Sequence, residues 1–187
     1  MFKNTTYSAY LLIALLSLLL FLPFLGSVHL FDWDEINFAE CAREMIVSGN
    51  YTNLQMNFFP FWEKPPLFIW MQVLSMKVFG VNEFAARFPN AICGVATLMM
   101  IFYAGSKMRN TKTAWLWVML YAGSFLPRFY FHTGIIDPWF NLFIFSGFFF
   151  FVLYLQTQER PLRYLIFAAL FAGLAILTKG PAAIIIL

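Results

Sequence analysis

The chain has 187 residues, of which 61% are hydrophobic, 21% aromatic and only 11% charged, with a formal net charge of +3. This composition excludes a water-soluble globule and points to an integral membrane protein. The small net charge, without any basic block, excludes a nucleic-acid footprint.

Residues 4–31 carry no charge, enough for the ~20 apolar residues of a transmembrane helix, and a first span is read at about 7–26. A single Lys3 precedes it and no A-x-A pattern follows, so the segment is expected to stay as an uncleaved span. Residues 32–66, DWDEINFAECAREMIVSGNYTNLQMNFFPFWEKPP, then form a polar island holding six of the nine acidic residues: Asp32, Asp34, Glu35, Glu40, Glu44 and Glu63. Asp32 or Asp34 as N-cap, Glu35 in the first turn and Gly49 past the end predict a helix at about 35–48. Ile36, Ala39, Ala42 or Arg43, and Ile46 would mark its apolar face on the membrane surface.

Pro65-Pro66 open a second apolar stretch at 67–79, broken by Lys77 and ended by Gly80, which suits a helix lying in the interface. Further spans are read at 84–106, 113–131, 138–156 and 162–177, with the FSGFFFFVLY block as apolar bulk in the fourth. A sixth begins at 181 and does not finish, so the sequence is expected to be the N-terminal part of a longer chain. The fold class is therefore all-α: a polytopic transmembrane helix bundle with amphipathic interfacial helices in its first extracytoplasmic loop. Cys41 and Cys93 lie in dissimilar contexts, which argues against a disulfide.

With the N-terminus cytoplasmic, Lys3, Lys107, Arg109, Lys112, Arg160 and Arg163 fall inside, and Arg43, Lys64, Lys77, Arg87, Arg128 and Lys179 outside. The inside set crowds into very short loops, and this breaks the tie in favour of that orientation. Eight of the nine acidic residues then lie outside, only Glu159 inside.

Several polar positions have both a structural and a chemical reading. Asp34 is a helix cap, or a carboxylate that orients or deprotonates a nucleophile or holds a metal. Lys64 pairs with Glu63 beside a turn; alternatively, stiffened by Pro65 at a helix mouth, it receives a phosphate. Asp137-Pro138 repeats the cap-plus-proline grammar, and Thr178-Lys179-Gly180-Pro181 ends a helix with a lysine near its negative pole. Arg87, Arg128 and His132 are read as interfacial or snorkelling groups, and His132 alone makes no metal site. Crossing parity lifts the set above its parts: one, three and five passes precede Asp34 and Lys64, His132 and Asp137, and Lys179, which brings acids and bases to one membrane face.

The runs DEINFAECAREMIVSGNY, FFPFWEKPPLFIWMQVLSMKVFGVNEFAARFPNAICG, IIDPWFNL and LAILTKGP resemble the N-terminal half of the C-type (GT-C) glycosyltransferases that use polyprenyl-phosphate sugars. Within these, the chain is most similar to the aminoarabinose lipid A transferase and protein O-mannosyltransferase-like group. The resemblance spans about residues 32–186. It implies catalytic acids at Asp34 and Asp137 and donor-phosphate contacts at Lys64 and Lys179. It also implies a carboxylate at Glu63 that in some relatives binds a divalent metal ion, with Glu35, Arg87 and His132 as further candidates. Asn37 departs from a basic residue that some relatives carry there. The implied partners are a polyprenyl-phosphate sugar donor, a lipid or protein acceptor, and membrane lipids. The implied place is the extracytoplasmic side of a bacterial inner membrane. Family members are longer, so this portion alone is expected to be inactive. Two other readings stay open at this level: a lipid-linked sugar transporter or flippase, which would want its charges near mid-membrane, and a non-catalytic assembly subunit, which would disperse Asp34, Lys64 and Asp137.

Overall fold

The computed structural model describes residues 2–31, 33–159 and 161–186; Asp32, read above as an alternative cap, and Arg160, counted among the cytoplasmic basics, lie outside the described residues. Helices occupy Phe2–Phe21 (α1), Asp34–Ser48 (α2), Leu67–Phe79 (α3), Glu83–Met108 (α4), Thr111–Gly123 (α5), Phe125–Phe131 (α6), Asp137–Gln156 (α7), Leu162–Lys179 (α8) and Pro181–Ile186 (α9). A two-residue antiparallel ladder, β1 (Gln55–Met56) with β2 (Phe59–Pro60), interrupts the island. Among the described residues, α4, α7 and α8 are the helices long and apolar enough to cross a membrane.

The helix ends follow from side-chain chemistry. Asn82 and Asn110 cap α4 and α5 by accepting the backbone N–H of Ala85 (2.8 Å) and Thr113 (2.9 Å). Gly49 stops α2 at φ 70°, with its N–H on the Met45 carbonyl, a conformation that a residue without Cβ adopts freely. The aspartates do not behave as caps. Trp33 precedes α2 at φ 68°, so Asp34 is the first helical residue, and Asp137 likewise stands inside the first turn of α7 behind Ile136.

Two further expectations change. The segment expected as one span at 113–131 is two helices meeting at Ser124. Pro127 explains the break: it has no N–H for the Gly123 carbonyl, and its ring would clash with that carbonyl in a continuous helix. The buried face of α2 is Phe38, Ala39, Cys41, Ala42 and Met45, so Ala39 and Ala42 lie inside as expected, whereas Ile36 is 42% exposed. Glu35 and Glu44 share the buried side, so the apolar pattern gives a rotated face.

Helix α4 is the centre of the assembly, with α1, α3, α5 and α7 around it. Close approach needs small residues there: a Cβ on Gly94 would fall 2.7 Å from the Phe21 ring, and one on Gly105 would fall 2.7 Å from the Ala114 backbone. Gly94→Leu is expected to cost about 1–3 kcal/mol by prising α1 and α6 from α4, read as a lower unfolding temperature in detergent. Helices α7 and α8 run side by side; Phe150 stacks on Phe171 at 5.7 Å, and Phe149 is buried. Both cysteines are free and buried. Burial, reinforced by the Glu44 and Glu40 carboxylates, pushes the Cys41 thiol up to about 12. Alkylation of Cys41 by iodoacetamide at pH 8 is therefore expected only after unfolding.

Candidate functional site

Two polar assemblies stand at the end of the bundle where α7 begins and α8 finishes. The first is a buried knot. Glu35 in α2 and Arg87 in α4 are 1% and 2% exposed, and the guanidinium meets the carboxylate twice, at 2.8 and 3.0 Å. Arg87 also donates to the carbonyls of Leu25, Val28 and His29, gathering the connection between α1 and α2. Glu35 accepts the Gly134 N–H, and Asn90 donates to the carbonyls of Thr133 and Ile135, so α2 and α4 together hold the loop leading into α7. Gln72 donates to the Ala86 carbonyl at 2.9 Å, and a Cβ on Gly134 would lie 3.1 Å from that carbonyl oxygen and 3.3 Å from the Gln72 amide. Arg87, expected as an interfacial group, is thus an interior clamp.

The second assembly is a cleft of about 320 Å³ whose walls include Glu63, Lys64, Pro65, Trp62, Asn53 and Lys179. Lys179 reaches Asp137 at 2.6 Å and lies 5.4 Å from the centre of the Phe140 ring. A Cβ on Gly180 would come within 3.4 Å of Pro65, so the E-K-P-P and T-K-G-P segments are neighbours. Lys64 is partly buried and makes no hydrogen bond or ion pair among the described residues, and Glu63 makes none either. The Glu63–Lys64 pair expected as the bland reading is therefore not formed.

Lys64, Lys179, Asp137 and Glu63 thus come together, while Asp34 and His132 are not walls of this cleft. Asp34 is half-buried, with no partner among the described residues. It is tied to the cleft through the backbone: its neighbour Glu35 holds Gly134, three residues ahead of Asp137. His132 Nδ1 bonds to the Arg128 carbonyl at 2.8 Å, with its ring against Phe21. As for a divalent ion at Glu63, no three His, Cys, Asp or Glu side chains gather among the described residues, and the nearest charged walls are ammonium groups. These residues do not by themselves fit a metal centre.

Sequence reading passed over Gln72, Asn90, Glu44 and Gly134. The first two had a signal, since an amide inside an apolar helix needs a reason. Gly134 had none, because its role is the space between three other elements.

Residues 63–187 match the sequence model of the family described as dolichyl-phosphate-mannose-protein mannosyltransferase. The chain is 32% identical over 171 residues to the undecaprenyl phosphate-alpha-4-amino-4-deoxy-L-arabinose arabinosyl transferase of Shewanella sediminis, covering 90% of this chain and 31% of the relative. A second arabinosyl transferase, from Proteus mirabilis, is 31% identical, with 91% of this chain and 31% of the relative covered. The chain therefore spans about a third of the length of the curated relatives it matches. The fold is similar to that of ArnT from Cupriavidus metallidurans, crystallised with undecaprenyl phosphate, at a TM-score of 0.85 and 23% identity over 94% of this chain and 33% of that one. Its apo crystal structure gives 0.82. With more than half of the residues inside the family match, on an all-α membrane scaffold of the ArnT kind, this chain belongs to the dolichyl-phosphate-mannose-protein mannosyltransferase family.

Proposed function

We propose that this chain is the N-terminal part of a membrane glycosyltransferase that moves a sugar from a polyprenyl-phosphate carrier to an acceptor, a lipid A-type glycolipid or a protein, at the extracytoplasmic face of a bacterial inner membrane. The observation that carries this reading is Lys64: a partly buried ammonium with no counter-ion among the described residues, at a cleft that a second lysine shares. An unpaired charge of this kind is stabilised by an anion from outside the chain. The Shewanella and Proteus relatives are named for undecaprenyl phosphate donors, and the family description names a dolichyl-phosphate donor. The carrier class is common to these names; the sugar is not.

In the proposed reaction an acceptor oxygen bonds to the anomeric carbon as the bond from that carbon to the phosphate oxygen breaks. The bonding pair leaves with the carrier as polyprenyl phosphate. Lys64 meets the negative charge growing on that phosphate, and this is the enzyme's main electrostatic task. Lys179 already serves Asp137, so it supplies a weaker field and fixes the cleft wall. A hydroxyl acceptor must also lose its proton, and Asp34, half-buried and without a partner among the described residues, is the base assigned to take it. A phosphate acceptor needs no base, and Asp34 would then only orient it.

Charged groups at the helix ends, rather than near mid-membrane, support transfer at a surface over transport through the bundle. The test is the full-length protein in proteoliposomes with radiolabelled polyprenyl-phosphate sugars and both lipid and protein acceptors. Label should reach one acceptor class; label remaining on the carrier with every donor and acceptor would overturn the reading. Asp34→Ala is expected to lower the rate by roughly 10²–10⁴ with a hydroxyl acceptor, measured as initial rates at saturating donor.

A further inference from the structure

At the end of the bundle opposite the cleft, α4 and α7 finish and α8 begins. The sequence puts this end on the cytoplasmic side, where Lys107, Arg109, Lys112 and Arg163 stand against one described acid, Glu159. Lys107 and Arg163 are exposed, and neither has a carboxylate partner among the described residues.

An aromatic wall brings these two cations together. The Lys107 ammonium lies 5.8 Å from the centre of the Tyr103 ring, one turn back on α4, and the Arg163 guanidinium lies 5.1 Å from the centre of the Tyr164 ring. Helix α7 stands between the two tyrosines: Phe150 lies 6.1 Å from Tyr103 and stacks on Tyr164 at 6.3 Å, and Phe149 meets Tyr103 edge-on at 5.7 Å. The Tyr103 phenol is within electrostatic reach of both Tyr164 and Arg163. Neither phenol O–H has a hydrogen-bond partner among the described residues. Two cations and two O–H donors, one of each from α4 and from α8, therefore share one side of the bundle. Gly105 faces the other way, against Ala114 of α5, because residues two apart on a helix point in nearly opposite directions.

Tyrosines at the ends of spanning helices mark the depth of the lipid head groups. The cytoplasmic leaflet carries anionic phospholipids, and a basic pocket between helices on that side is suited to their head groups. Below Arg163 the same face of α8 continues with Ile166, Phe167 and Leu170, all exposed, an apolar stripe against which acyl chains can lie. We infer that Lys107, Arg163 and the Tyr103 and Tyr164 phenols form a site for the phosphate of an anionic phospholipid in the cytoplasmic leaflet. The two cations meet the negative oxygens and the phenols donate to them. A lipid held in this way bridges α4 and α8 across α7 and stabilises that end of the bundle. The inference is independent of the donor reading, since the cleft lies at the other end.

The experiment titrates the full-length protein, in an uncharged detergent, with phosphatidylglycerol and with phosphatidylcholine of the same acyl chains, whose choline cancels the phosphate charge. Bound lipid is counted by native mass spectrometry. Wild type should prefer phosphatidylglycerol. Lys107→Gln and Arg163→Gln should each weaken its binding roughly fivefold, and the double variant roughly 25-fold. Tyr103→Phe and Tyr164→Phe, which keep the rings, should each weaken it roughly threefold. Lys112→Gln, on the α5 side, should bind it as wild type does. Phosphatidylglycerol should also raise the unfolding temperature of the wild type and not that of the double variant. Equal binding of the two lipids by wild type, unchanged affinity in the double variant, or a loss in Lys112→Gln as large as in Arg163→Gln would overturn the site. Displacement of the lipid by inorganic phosphate at matched concentration would make it a site for the free ion and overturn the lipid assignment.

Discussion

Lys64→Ala in the full-length protein is expected to lower sugar transfer by roughly 10²–10³ with unchanged membrane insertion. The size of the effect follows from the position of the charge. Lys64 is partly buried, so water screens it less than it would a surface lysine, and no carboxylate among the described residues neutralises it. Pro65 restricts the backbone of the lysine before it, and Pro65 lies against Gly180 at the end of α8, so the segment carrying the ammonium has little freedom to lose. In the proposed reaction Lys64 meets charge that grows as the carrier leaves, so its removal should reduce kcat as well as raise KM. Lys64→Arg keeps the charge but exchanges a point donor for a planar fork, and should recover only part of the rate. Activity of the alanine variant within twofold of wild type would remove Lys64 from the reaction.

Arg87→Ala is expected to destabilise the fold by about 3–5 kcal/mol. The substitution strands the Glu35 carboxylate in the interior and leaves the carbonyls of Leu25, Val28 and His29 without their donor. Arg87→Lys should recover little, since one ammonium cannot reach a carboxylate and three carbonyls together. The damage should also reach the cleft: Glu35 fixes Gly134, and Gly134 stands just ahead of Asp137, the partner of Lys179. The check is thermal unfolding in detergent alongside recovery of folded protein. An Arg87→Ala protein as stable as wild type would mean that the knot is not what joins α2, α4 and the α6–α7 loop.

The parts of the fold legible in the sequence are those with local causes. Composition together with long uncharged apolar runs sufficed to name an all-α membrane protein, because helices and closed barrels alone satisfy their backbone in lipid and runs of about 20 apolar residues suit the helix. Gly49, Gly80 and Gly180 mark helix ends because each stands at positive φ. The break at Ser124 was equally local: Pro127 stood in plain view inside the expected third span, and hydropathy outweighed it. The α2 face was read correctly at Ala39 and Ala42 but misplaced at Ile36, for a different reason. Its buried side includes Glu35 and Glu44, and a carboxylate is found inside only when something distant answers it.

Sequence alone therefore settled which residues could carry charge at the rim of an apolar bundle: Asp34, Glu63, Lys64, Asp137 and Lys179, each set beside a helix end, a proline or a glycine. It could not decide which of them pair. Residues 42 apart in the chain, Asp137 and Lys179, meet at 2.6 Å, and Glu35 reaches Gly134 across 99. Only the packing of α2, α4, α7 and α8 makes Arg87 a structural clamp and leaves Lys64 and Glu63 at a cleft with no charge partner among the described residues. Propensity and hydropathy act over a few residues, whereas a charge is neutralised by whatever the tertiary fold brings within a few ångströms.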